Sequence, residues 1–147
     1  MALSRAEPRK VNFTTLAALF GWPGNPDSTF GTGGQLVTAV GAGDSGAHDV
    51  ALQRDGKVVA VGYSHNGTDD DFAVVRYNTD GTLDPDFNGN GKVITDFVGG
   101  SDRGSDVVIQ SDGKIVVAGQ SGYDFSLARY VGAQSVIAEP VQVTEVL

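Results

Sequence analysis

Residues 50–61 read as two apolar runs around a polar break. Val50, Ala51 and Leu52 lead into Gln53-Arg54-Asp55-Gly56-Lys57, and Val58, Val59, Ala60 and Val61 follow. Asp-Gly between short β-branched runs predicts an antiparallel hairpin over residues 50–53 and 58–61, because glycine accepts the positive φ that such turns need. A third apolar run at 72–77 ends in a second Asp-Gly turn, Asn78-Thr79-Asp80-Gly81, and a fourth at 92–97 follows Asn88-Gly89-Asn90-Gly91. None of these runs has helical spacing. Alternation within strands places Val50, Leu52, Val59, Val61, Val74, Val107, Ile109, Val116, Ala118 and Leu127 on buried sheet faces. Gly56 and Gly113 are expected at positive φ in matching turns.

The pattern occurs twice. At an offset of 57, residues 27–64 lie over 84–121 with 14 identities in 38 positions, Asp49-Val50 over Asp106-Val107 and Gln53-x-Asp55-Gly56-Lys57 over Gln110-x-Asp112-Gly113-Lys114 among them. Past the second glycine the offset falls to 53, and Asp71-Phe72-Ala73-Val74-Val75-Arg76-Tyr77 lies over Asp124-Phe125-Ser126-Leu127-Ala128-Arg129-Tyr130. Continued backwards, the offset brings residues 14–20 under a third strand, without its Arg-Tyr ending. The expected organisation is a basic tail at 1–12, a repeat domain at 13–130 and a C-terminal strand or tail at 131–147. Within the repeat domain, a partial unit covers 13–26 and fuller units cover 27–83 and 84–130. Four short strands per unit of about 50 residues is the arithmetic of a β-propeller blade. The fold class is therefore all-β, with propeller-like four-stranded antiparallel units, two full and one partial.

Three strings carry a family likeness: Leu52-Gln53-x-Asp55-Gly56-Lys57-Val58-Val59-x-x-Gly62, residues 71–84 (Asp71-Phe72-Ala73-Val74-Val75-Arg76-Tyr77-Asn78-x-Asp80-Gly81-x-Leu83-Asp84) and Phe30-Gly31-Thr32-Gly33-Gly34. They resemble the delta-60 repeat of bacterial β-propeller proteins. The resemblance implies a propeller-like sheet fold and an extracellular or cell-surface setting. It transfers no catalytic residue. Two units and a fragment are too few to close a ring.

Composition sharpens this. Glycine numbers 21 of 147 residues, and the net charge is −8. Residues 27–130 hold fifteen Asp, no Glu and seven basic residues, and Asp without Glu suits turns rather than helices. So acidic a body lacks the cations that replace phosphate counterions, which argues against nucleic acid as a partner. No apolar run is long enough to span a bilayer. With no cysteine, disulfides, thiolate metal sites and a cysteine nucleophile are excluded.

The candidate chemistry is sparse. Asp84, Asp86 and Asn88, followed by Gly89, match the opening of a calcium loop, yet Thr95 stands where the bidentate acid belongs, so a plain inter-strand turn is expected. Asp69-Asp70-Asp71 reads either as a cation-holding cluster or as a solvated loop tip, and the tip is the expectation. His48 and His65 lack partners at metal-ligand or nucleophile spacing. The recurring Asp49/Asp106 read as caps at strand starts and Arg76/Arg129 as partners for a carboxylate of a neighbouring blade, against a repeated ligand pocket built from Arg and Asp. Trp22, Tyr63 and Tyr123 are candidates for stacking on a surface glycan, against strand-edge or core roles. The expectation is a non-catalytic structural protein, with no enzyme activity and no cofactor, calcium being the one alternative. It would self-associate through terminal strands at 13–20 and 141–146 into an extracellular fibre or ring. The alternative is a lectin-like or adhesive module formed when oligomers close a propeller.

Overall fold

The computed structural model describes residues 24–97 and 99–132. The chain divides into Met1–Leu36 and Val37–Leu147. In the first part, residues 24–36 form turns: Asp27 Oδ1 accepts the Thr29 amide at 2.9 Å, the Asp27 carbonyl accepts the Phe30 amide, and Thr32 bridges Gln35.

The second part holds seven strands: β1 (Ser45–Leu52), β2 (Val58–His65), β3 (Asp70–Tyr77), β4 (Lys92–Thr95), β5 (Asp102–Ile109), β6 (Ile115–Ser121) and β7 (Asp124–Tyr130). They form a four-stranded sheet β1-β2-β3-β4 and a three-stranded sheet β5-β6-β7, every pair antiparallel. This is the expected blade architecture, left open. β1, β2 and β3 run beyond their apolar stretches, because backbone pairing continues through polar residues such as Ser45↔Ser64 and His65↔Asp70. The terminal segments expected to be strands, 13–20 and 141–146, lie outside the described residues.

The two sheets share an irregularity. β1 skips a residue against β2 between Ala47 and Asp49, and β5 does so against β6 between Gly104 and Asp106. Both skips are β-bulges, in which one extra residue bends the strand. The bulged strand presses its carbonyl onto the opposite glycine: a Cβ at Gly62 would overlap the Gly46 oxygen, and one at Gly119 the Arg103 oxygen. The glycine that closes each hairpin motif is therefore fixed by close approach.

The core lies between the sheets. Val59, Val61, Phe72 and Val74 of the first pack with Val107, Ile115 and Val117 of the second, joined by Phe87. Burial of each large side chain contributes roughly 1.5–3 kcal/mol. Phe72 meets Phe97 edge-on at 4.9 Å. Four expected core residues are instead exposed: Val50, Leu52, Ala118 and Leu127. They alternate correctly, but on the faces turned away from this junction. Val116 and Ile109 are half-buried.

Gly56 and Gly113 adopt φ of 84° and 82° in matching turns, and their amides donate to Gln53 and Gln110. A Cβ at Gly113 would meet nothing within 4 Å, so a substitution there reports backbone strain alone. Gly113→Val should lower stability by about 1–3 kcal/mol in thermal or urea unfolding.

Candidate functional site

The contact between the two sheets is the most elaborated part of the molecule. The bulge residue His48 donates from Nδ1 to the Gly104 carbonyl at 2.7 Å, and Gly104 lies at the bulge of the second sheet. Asp49 Oδ2 accepts the Val107 amide at 2.8 Å. That bond, with the Val50 amide and Asp106, holds the Asp49 carboxyl below the usual range. Across the junction Arg103 Nε donates to Asp70 Oδ2 at 2.7 Å, and His65 Nδ1 donates to Asp70 Oδ1 at 3.0 Å. Burial pushes the Asp70 carboxyl up, but Arg103 and His65 outweigh it and leave it lowered. The Arg103 guanidinium also lies over the Tyr63 ring at 5.1 Å.

A second charged group locks the first sheet. Asp84 is buried, with Lys57 Nζ at 2.8 Å and Arg76 Nε at 2.7 Å from its Oδ2. Arg76 also lies 4.8 Å above the Phe87 ring. Burial again raises the Asp84 carboxyl, while the Lys57 hydrogen bond, the Asp86 amide and the Arg76 charge together hold it low.

The outer face of the second sheet is different. Leu127 is 68% exposed, Phe125 is fully exposed, and Val108 and Tyr123 are exposed with them. A groove of about 380 Å³ runs here, lined by Ser105, Ala118, Gln120, Tyr123, Asp124 and Phe125.

The residues singled out from sequence are placed as follows. Asp84 carries two cations in place of a metal, Asn88 donates to the Lys92 carbonyl, and Asp86 is exposed. Arg76 pairs with Asp84 in the loop between β3 and β4, not with a neighbouring blade, its counterpart Arg129 is exposed, and Asp49 lies inside β1 instead of capping its start. Asp70 and Asp71 are not a solvated tip: β3 begins at Asp70, and both residues are buried at the sheet junction. Tyr63 is half-buried against His48 and Arg103, Tyr123 is fully exposed, and Trp22 lies outside the described residues. Sequence reasoning missed Asp102 and Arg103. Their signal lay in the repeat itself, since Asp102 falls where the earlier unit has Ser45 and Arg103 where it has Gly46.

Two sheets of like register, bulged at the equivalent position and packed through opposite faces of the repeat, have the architecture of a β-propeller-type repeat protein. Residues 53–87 and 110–130 match the family described as a domain of unknown function (DUF5122) beta-propeller. Both matched stretches begin at the glutamine before the Asp-Gly turn. No curated protein and no solved structure matches the chain.

Removing the Asp84 carboxylate strands Arg76 and Lys57. Asp84→Ala should destabilise by about 3–5 kcal/mol, the cost of breaking a buried ion pair. Asp84 and Asp70 titrate below the unfolded value of about 3.9, so their contribution is present above that pH and is lost as pH falls through their folded values. Denaturant midpoints measured from neutral pH to pH 3 should fall at the acid end, and less steeply in Asp84→Asn.

Proposed function

We propose that the chain is a non-catalytic structural module that assembles with copies of itself by continuing its blade-to-blade contact. One observation carries this: both halves of the internal contact recur on the outer faces of the two sheets, uncovered by any described residue. Phe72, Val74 and Val61 bury against the second sheet, and their counterparts Phe125, Leu127 and Ala118 are exposed. Val107 is buried and Ile109 packs against the same core, and their counterparts Val50 and Leu52 are 60% and 71% exposed. Asp49 holds a backbone amide of the next sheet, and its counterpart Asp106 is exposed. The surfaces differ from each other, so a second copy docks head to tail, giving a ring if the rotation closes and a fibre if it does not. The delta-60 likeness supports an extracellular or cell-surface setting for such an assembly. This mode uses sheet faces in place of the terminal strands.

Leu127→Glu disables one face and Val50→Glu the other. In sedimentation of the full chain, wild type should associate as concentration rises and each variant should remain monomeric. The two variants mixed should form a one-to-one dimer through their intact faces. Loss of association in Leu127→Glu alone would indicate two-fold pairing of the outer faces. A wild type monomeric throughout would remove the assembly reading. It would favour the lectin-like one, in which Tyr123 and Phe125 offer stacking surface beside Gln120 and Asp124.

A further inference from the structure

We propose that Asp71, Asp96 and Asp102 form a divalent-cation site of the calcium class where the two sheets meet. Asp71 lies near the start of β3, Asp96 follows β4 and Asp102 opens β5, and one carboxylate oxygen from each lies within 4.8 Å of the others. Calcium–oxygen distances are about 2.3–2.6 Å, so oxygens sharing one ion stand at most about 5 Å apart. The spacing fits.

The second observation is the state of the two inner carboxylates. Asp102 is fully buried and Asp71 is 5% exposed. Asp102 Oδ2 accepts the Phe97 amide at 2.7 Å, and Asp71 Oδ2 accepts from Asn66 Nδ2 at 3.1 Å. The remaining oxygen of each, Oδ1, is buried with no hydrogen-bond partner among the described residues. An unpaired buried anion is costly, and charges in such places are normally paired or bound to metal. The neighbouring cation is spent: Arg103 bonds Asp70. The three acids are thus crowded together, and no cation among the described residues pairs with them.

The repeat argues against a packing role. At the offset of 57, Asp102 falls on Ser45, which opens β1, so the first strand of a blade forms without that acid. An all-carboxylate set selects a hard cation over zinc or copper. Asp96 is exposed, which leaves one side open for the waters that complete a calcium shell. Because the ligands come from both sheets, the ion would fasten the first blade to the second.

The test uses the full chain, stripped with chelator and titrated with calcium chloride by calorimetry and thermal unfolding. The expected result is one saturable site per chain, a dissociation constant on the order of 10⁻⁴–10⁻³ M and a melting temperature that rises with calcium. Asp96→Asn, on the exposed side, should fold and lose both responses. Its metal-free melting temperature should equal or exceed that of wild type, because a repulsive charge is gone. A purely structural carboxylate would give the opposite. Magnesium, which demands a tighter octahedron, should bind more weakly. Absence of saturable binding to calcium and magnesium at millimolar concentration would overturn the proposal, as would an undiminished response in Asp96→Asn.

Discussion

The structure depends on one constraint: a sheet of short strands with apolar residues on both faces must have those faces covered. Leaving those faces in water forgoes roughly 25 cal/mol for each Å² of apolar surface. In β3 all eight residues are buried, so this strand is interior on both sides. One side is covered by the second sheet through Val107, Ile115 and Val117. On the other, residues 39–41 run beside β4, where Lys92 Nζ donates to the Ala39 carbonyl at 2.6 Å and Gly41 lies close to Ser64 and Ile94. The bulges and their glycines serve the same end. They bend β1 and β5 so that His48 and Asp49 reach the backbone of the next sheet, and the bare Gly119 leaves room for the Phe72 ring.

Electrostatics follows from this packing. A chain of net charge −8 could scatter its acids over the surface, and many of its aspartates do sit at turns, where Asp55, Asp80 and Asp112 accept amides two residues on. Four are different: Asp70, Asp71, Asp84 and Asp102 are buried. Two of the four are matched to cations, Asp84 to Arg76 and Lys57, and Asp70 to Arg103. The matched pair rigidifies the blade at a known desolvation cost. The unmatched pair points to something brought from solution.

Much of the fold was legible because glycine and alternation are local signals. Asp55-Gly56 and Asp112-Gly113 fix their turns whatever surrounds them, and the second copy of each motif confirmed the strand pairing. Burial was legible only in part. Alternation shows that Val50 and Ala60 share a face, and that Leu127 lies on the opposite one, but not which face meets another sheet. The loop that proved ordered, 69–71, defeated the reading for a related reason. A run of acids resembles a solvated tip until Arg103 and Asp102, some thirty residues on, are brought alongside by the crossover from β4 to β5. No local pattern encodes that meeting.

Repeat proteins separate what a residue is from where it stands. Phe72 and Phe125 begin the same motif, yet one is wholly buried and the other wholly exposed. The same holds for Val107 and Val50, in the opposite direction along the chain. An isolated exposed apolar residue on a protein surface requires no explanation. Here the exposed residues are copies of ones whose buried partners are known. The geometry that satisfies them is therefore already written inside the molecule, down to the amide that a carboxylate at Asp106 would accept. The exposure of Phe125 and Leu127 beside an otherwise acidic, turn-rich surface is what supports the proposal that this face is an interface.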